Sequence, residues 1–123
     1  NESIIFYGYV PYAEMIATAK GCDIAVNPIH SYAMQSITNK LSDYMALQKP
    51  ILNSQVNDEV AEVLTLLPHA DYPSGDVDGF VAAARRILQQ RNGPVQSEEI
   101  VRRFKRDVAY QKIITLIEKL AHE

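Results

Sequence analysis

The sequence predicts an α/β fold, a parallel sheet flanked by helices, and three observations predict it. Short apolar runs recur at Ile4-Ile5-Phe6-Tyr7, Ile24-Ala25-Val26 and Ile51-Leu52. A glycine-containing or polar loop follows each run, and a segment with apolar residues at helical spacing follows each loop. Strands too apolar to alternate are buried on both faces, and helical crossovers between them make the sheet parallel.

The first run ends at Gly8. Pro11, whose φ is preset for a first helical turn, then opens a helix with Met15, Ile16 and Ala19 as its apolar stripe and Gly21 as its stop. The second run leads through a loop, Asn27 to Gln35, into a helix over Thr38 to Leu47 with Leu41, Met45 and Ala46 inward. Thr38 or Asn39 suits its cap. The third run follows Pro50 and precedes a helix from Asp58 to Leu67, with Val60, Val63, Leu64 and Leu67 on one side and Pro68 as its stop.

Ala70-Asp71-Tyr72 is a weaker strand and Pro73-Ser74-Gly75 a turn. Val77 to Gln90 reads as a helix with Phe80, Val81, Ala84, Ile87 and Leu88 inward, broken by Asn92-Gly93-Pro94. Ser97 to Ala121 is helical again. There Val101, Val108 and Ile113, with Phe104 and Tyr110, are expected to divide the stretch into two packed pieces. Residues 1–123 read as one domain without repeat, linker or low-complexity tract. The strands are few for a doubly wound sheet, so one or two are expected ahead of Asn1.

Composition narrows the function classes. A net charge of −3 carries no nucleic-acid footprint. The single cysteine, Cys22, excludes an internal disulfide and fits a reducing compartment such as the cytoplasm. His69, His122 and Cys22 lack metal-ligand spacing, and no metal is expected. Apolar runs all fall short of the roughly 20 residues that span a bilayer. Arg102, Arg103, Lys105 and Arg106 are interleaved with Glu98, Glu99 and Asp107, the pattern of a solvated helix surface.

Ligands of open α/β sheets bind beyond the carboxyl ends of the strands. Three loops lie there: Gly8 to Tyr12, Asn27 to Asn39, and Asn53 to Asp58. Across them runs an ordered series of motifs. Phe6-Tyr7-Gly8-Tyr9-Val10 comes first, then Cys22-Asp23-Ile24-Ala25-Val26-Asn27-Pro28. Lys40-Leu41, Asp43-Tyr44-Met45-Ala46 and Pro50 follow, and Pro73-Ser74-Gly75-Asp76 closes the series. In this collinear order the chain resembles the C-terminal, Rossmann-like domain of the retaining glycosyltransferases of the GT-B fold, family 4, above all those that build bacterial surface polysaccharides. Two positions depart from the pattern. The family's paired glutamates fall on Gln35 and Asp43, and its glycine before the lysine-proline step is Gln48.

The resemblance implies that the chain is the donor-binding part of a metal-independent transferase, inactive alone, whose acceptor domain lies elsewhere in the polypeptide. The donor is a nucleotide-diphosphate sugar and no further cofactor is implied. The acceptor is a growing glycan or lipid-linked sugar at the inner face of the cytoplasmic membrane, reached by peripheral association. Stabilising the departing diphosphate is then the main task. Backbone N–H groups at the start of the Thr38 to Leu47 helix, aided by the dipole, suit phosphate oxygens, with Ser36, Thr38 and Asn39 as hydroxyl or amide donors, Lys40 as a cation and Ile37 counted in the same donor-binding stretch.

Asp43, about one turn beyond Asn39, suits two ribose hydroxyls, as acidic residues do in dinucleotide folds. The Gly8, Tyr9 and Val10 backbone is expected near the base, with Tyr9 or Tyr12 stacking on it. Gln35 stands where a glutamate would touch the donor sugar. A helix without glycine after it calls for another C-cap than the usual one.

Plainer readings compete. Asp43 could be a solvated helical carboxylate. Tyr32, Met34 and Tyr44 suit packing as well as ligand contact, and His30 suits an exposed loop. Gln35 and Gln48 also fit a non-catalytic, degenerate relative serving as an interaction module. A sugar-nucleotide epimerase shares the architecture but would show a His- and Glu-rich signature that these loops lack.

Overall fold

The computed structural model describes residues 8–30 and 36–121, the side chains of residues 105–115 excepted. The strand expected over Ile4 to Tyr7 lies outside them. The described elements run α1 (Tyr12–Lys20), β1 (Ala25–Asn27), α2 (Asn39–Ala46), β2 (Ile51–Asn53), α3 (Asp58–Leu64), β3 (His69–Asp71), α4 (Val77–Gln90) and α5 (Ser97–Ala121). The strands form a parallel sheet in the order β1, β2, β3, so the α/β reading holds.

Strand β2 is central, and Ile51 and Leu52 are both fully enclosed, but by different layers because successive side chains leave opposite faces. Ile51 shares a cluster with Leu41 and Met45 of α2, Val60 and Leu64 of α3, and Ile100 and Phe104 of α5. Leu52 shares the other with Ala70 of β3 and Ala83 and Ile87 of α4. Each of the larger of these side chains contributes about 1.5–3 kcal/mol by leaving water, and the alanines less.

Helix starts follow the capping chemistry of the sequence. Thr38 Oγ1 accepts from Leu41 N at 3.2 Å, Asn57 Oδ1 from Val60 N at 3.0 Å, and Asp76 Oδ1 from Gly79 N at 2.9 Å. Each such cap stabilises its helix by about 1 kcal/mol. Ahead of α4, Asp76 N donates to Pro73 O across a turn whose third residue, Gly75, has φ 83° and so needs glycine.

Four expectations are corrected. Helix α3 ends at Leu64, short of Leu67, because Thr65, Leu66 and Leu67 wind into tighter bonds that turn Leu66 and Leu67 into the core. On α4 the inward face is Ala83 and Ile87, with Ala84 half-buried. Phe80 sits at the rim, edge-on to Tyr72 with ring centroids 5.1 Å apart, while Val81 and Leu88 are 41% and 45% exposed. The apolar arc of α4 is wider than the strip that an edge strand can cover.

The third correction is that Ser97 to Ala121 is a single helix, since its β-branched residues each cost only tenths of a kcal/mol and no Gly or Pro interrupts it. The fourth concerns α2, which ends by the usual glycine solution without the glycine. Gln48 takes φ 57°, its N–H donates to Met45 O at 2.9 Å and Lys49 N donates to Tyr44 O at 3.2 Å. This is a Schellman motif with glutamine in the left-handed position.

Candidate functional site

Each strand run ends in a polar residue, and the register sets those three side by side: Asn27 opposite Asn53, and Asn53 opposite Asp71. Parallel pairing without stagger thus places one polar row along the carboxyl edge of the sheet, buried at Asn27 and Asn53 and exposed at Asp71. Asn27 Nδ2 donates to Asn53 Oδ1 at 2.8 Å and to Gln55 Oε1 at 3.0 Å. Asn53 Nδ2 donates to Asp71 Oδ1 and to Gln55 O, both at 2.9 Å. Ser54 Oγ donates to Ile29 O at 2.7 Å, tying the loop after β1 to the loop after β2.

Asn27, Asn53, Ser54 and Gln55 are all at most 4% exposed. Among the described residues no buried side-chain polar atom lacks a partner. Such a network fixes the strand ends against one another, because breaking one bond strands a buried polar group.

The loop entering α2 hangs from this row. Gln55 Nε2 donates to Ser36 O at 2.8 Å, and the Ser36 hydroxyl donates to Glu59 on α3. Ser36 Oγ is therefore directed at α3. Thr38 is turned to its capping bond, Ile37 is half-buried against the core of α2, α3 and α5, and Asn39 and Lys40 are exposed. The first-turn N–H groups of Asn39 and Lys40 have no carbonyl partner within a helix. Gln35, with Tyr32 and Met34, lies outside the described residues.

Asp43 is 8% exposed, which excludes the reading of it as a plain solvated carboxylate. Its Oδ1 accepts from the Tyr12 hydroxyl at 2.8 Å. Burial, then the hydrogen bond and charge of Asp43, push the Tyr12 phenol up to about 12. Burial, followed by Asp43 and Cys22, also raises Tyr44, which packs half-buried against the core. Tyr12, expected on a nucleobase, is thus bonded through its hydroxyl to the acidic residue expected on the ribose.

Gly8 has φ 67°, Tyr9 is 96% exposed and Val10 is half-buried. Val10, Met15, Val26 and Tyr44 help line an apolar groove of about 610 Å³ between α1 and β1. A second cleft, of about 330 Å³, lies beside the Asn53 to Asp58 loop and is bordered by Asp71 and Tyr72. His30 is exposed. Arg102 and Arg103 both pair with Glu99, and Arg103 also reaches Glu62, in keeping with a solvated surface there, while the side chains of Lys105, Arg106 and Asp107 lie outside those described. Among the described residues no three His, Cys, Asp or Glu side chains gather as metal ligands, and no helix is long and apolar enough to cross a membrane.

The sequence model of the family described as Glycosyl transferases group 1 matches residues 1–90, which take in the three described strands, the loops after them and α1 to α4. The chain belongs to the group 1 glycosyltransferases. No curated protein and no solved structure matches it. Membership supports a GT-B glycosyltransferase domain and transferase activity in general terms. In this glycosyltransferase the amide row, which the motifs do not mention, is the feature that fixes the loops of the candidate site. Its signal in the sequence is slight: two apolar runs that each stop on Asn, and a weaker strand that reaches Asp71.

Proposed function

We propose that this chain is the C-terminal, donor-binding part of a retaining, metal-independent glycosyltransferase of the family 4 type, which moves a sugar from a nucleoside diphosphate to a growing surface glycan. The acceptor, a glycan or lipid-linked sugar, is met through the other domain at the cytoplasmic face of the membrane, and the part described here is inactive alone. One observation carries the reading: the Thr38-capped start of α2 lies at the carboxyl edge of the sheet with Asp43 one turn further on.

Among the described helices α2 is the one without an acidic residue in its first turn, whereas α1, α3, α4 and α5 each have at least one. Acidic side chains there satisfy the positive end of the dipole; their absence suits an external anion. The anion proposed is the diphosphate, which leaves the anomeric carbon with the bonding electron pair and so gains charge in the transition state. Donors held in place beforehand act on that developing charge. Asp43 accepts the ribose hydroxyls, and Lys40 adds a cation at the mouth.

Titration of the ¹⁵N-labelled chain with UDP, GDP and ADP tests this. Shifts are expected in the amides of Gly8 to Tyr12, Ser36 to Lys40 and Asn53 to Asp58. Unchanged spectra at millimolar concentrations of all three would overturn the reading.

A further inference from the structure

Gln55 does more than fill the amide row. Its Oε1 accepts from Asn27 Nδ2 at 3.0 Å, which leaves Nε2 to face Ser36 O at 2.8 Å, so the two ends of the amide are told apart by their partners. The residue is 4% exposed, and its own N–H is held on Asn53 Oδ1 at 3.1 Å. Backbone and side chain are therefore both fixed to β1 and β2. The described chain has no cis peptide bond, and in a trans peptide the C=O and the following N–H point opposite ways.

We infer that Gln55 is a positioning residue for the diphosphate: by holding the Ser36 carbonyl inward it turns the Ile37 N–H away from the buried amides, as a donor for a phosphate oxygen beside the start of α2. This rests on the reading of α2 given above. A rotated Ser36–Ile37 peptide would present a carbonyl oxygen to the anion in place of an N–H, replacing attraction by repulsion. The buried row supplies rigidity, since fixed strand ends place a donor more closely than a free loop does.

Gln55→Glu is the discriminating variant. Ionised, the new carboxylate has no hydrogen to donate to Ser36 O and repels it; protonated, it is nearly isosteric with the amide and donates again. At about pH 8 the variant is expected to bind UDP, GDP or ADP about tenfold more weakly than wild type, the loss of roughly one hydrogen bond. The matching nucleosides should bind both proteins alike. Towards about pH 5 the ratio of wild-type to variant affinity should close as the buried carboxyl takes up its proton.

The Ile37 amide resonance should move away from its wild-type position at the higher pH and return at the lower, a change that general loosening does not produce. A wild-type chain that binds none of the three diphosphates overturns the reading of the site and this inference with it. Wild-type binding together with unaltered diphosphate affinity in Gln55→Glu at pH 8 overturns the inference alone. Should that variant not fold at pH 8, Gln55→Asn, too short to reach both Asn27 and Ser36, takes its place. The same selective loss of diphosphate affinity is expected, and equal loss for nucleosides counts against the role.

Discussion

The hydroxyl of Tyr12, the first residue of α1, donates to Oδ1 of Asp43 on α2 at 2.8 Å, across 31 positions of sequence. The bond joins the loop after Gly8 to the helix proposed to hold the diphosphate. It also means that a ribose approaching Asp43 meets a carboxylate already oriented by a phenol.

Removing that phenol has a stability cost with a defined pH dependence. Tyr12→Phe should lower the unfolding free energy by about 1 kcal/mol near neutral pH, a charge-assisted bond discounted for a site 36% exposed. Tyr12 titrates near 10.0 when unfolded and at about 12 when folded, so between those values the folded chain holds the extra proton. The contribution is complete below pH 10 and is lost as pH rises towards 12. Urea denaturation across that range should show a decline in wild type that Tyr12→Phe lacks. Parallel curves would remove the bond from the stability account.

Asp43→Asn separates a ribose ligand from a packing residue. The variant should fold, since the amide oxygen still accepts from Tyr12, yet bind nucleoside diphosphates some 10- to 100-fold more weakly, the value of one to two bonds to a charged acceptor. Discrimination against 2′-deoxy diphosphates, measured by calorimetry, should fall with it. A variant that loses stability but keeps wild-type affinity and sugar preference would mark Asp43 as structural.

The amide row can be broken without changing its size. Asn53→Asp puts a carboxylate where Nδ2 now lies 2.9 Å from Asp71 Oδ1, so a new charge at a buried position faces the like charge of the exposed Asp71. A loss of about 3–5 kcal/mol is expected at neutral pH, the range for an uncompensated buried charge. The introduced carboxyl, buried where the amide was, should titrate above its unfolded value. The penalty then grows as pH rises through the carboxylate range and shrinks under acid, the reverse of ordinary acid denaturation. A melting temperature that falls below wild type equally at pH 4 and pH 7 would contradict the charge explanation.

The sheet and helices were legible because their signals are local: apolar runs, Pro11, Gly21 and Asn92-Gly93-Pro94, and Thr38 before its helix. The motif from Lys40 to Pro50 likewise pointed to the family over residues 1–90. What stayed hidden depends on register and on distant partners. Asn27, Asn53 and Asp71 become neighbours only through parallel pairing without offset, and Tyr12 reaches Asp43 only once the fold brings the start of α1 to α2. Gln48 illustrates a different failure: a rule about residue type gave way to the geometry it normally reports, because two backbone hydrogen bonds hold the left-handed turn.

That turn makes Gln48→Gly a stabilising substitution. Leaving the left-handed region to glycine relieves about 1–2 kcal/mol of strain, against which stands the exposed bond from Ser97 Oγ to Gln48 Oε1 at 2.7 Å. Glycine also adds entropy to the unfolded chain. A net gain of about 0.5–1 kcal/mol is expected, and Gln48→Ala should instead lose stability, since it keeps the strain and forfeits the bond. Chemical denaturation of both variants gives the sign.

A final pair of variants tests the corrected face of α4. Ile87 is fully enclosed between α4 and the sheet, whereas its neighbour Leu88 is 45% exposed. Ile87→Ala should cost about 2–5 kcal/mol through lost burial and the cavity left behind, and Leu88→Ala should stay within about 0.5 kcal/mol. The sequence alone ranks the two alike, because both lie on the apolar arc. Two adjacent residues with equal losses would mean that something covers the Leu88 side of the helix in solution. Unequal losses in the stated order place the boundary of the core between consecutive side chains, 100° apart on the helix.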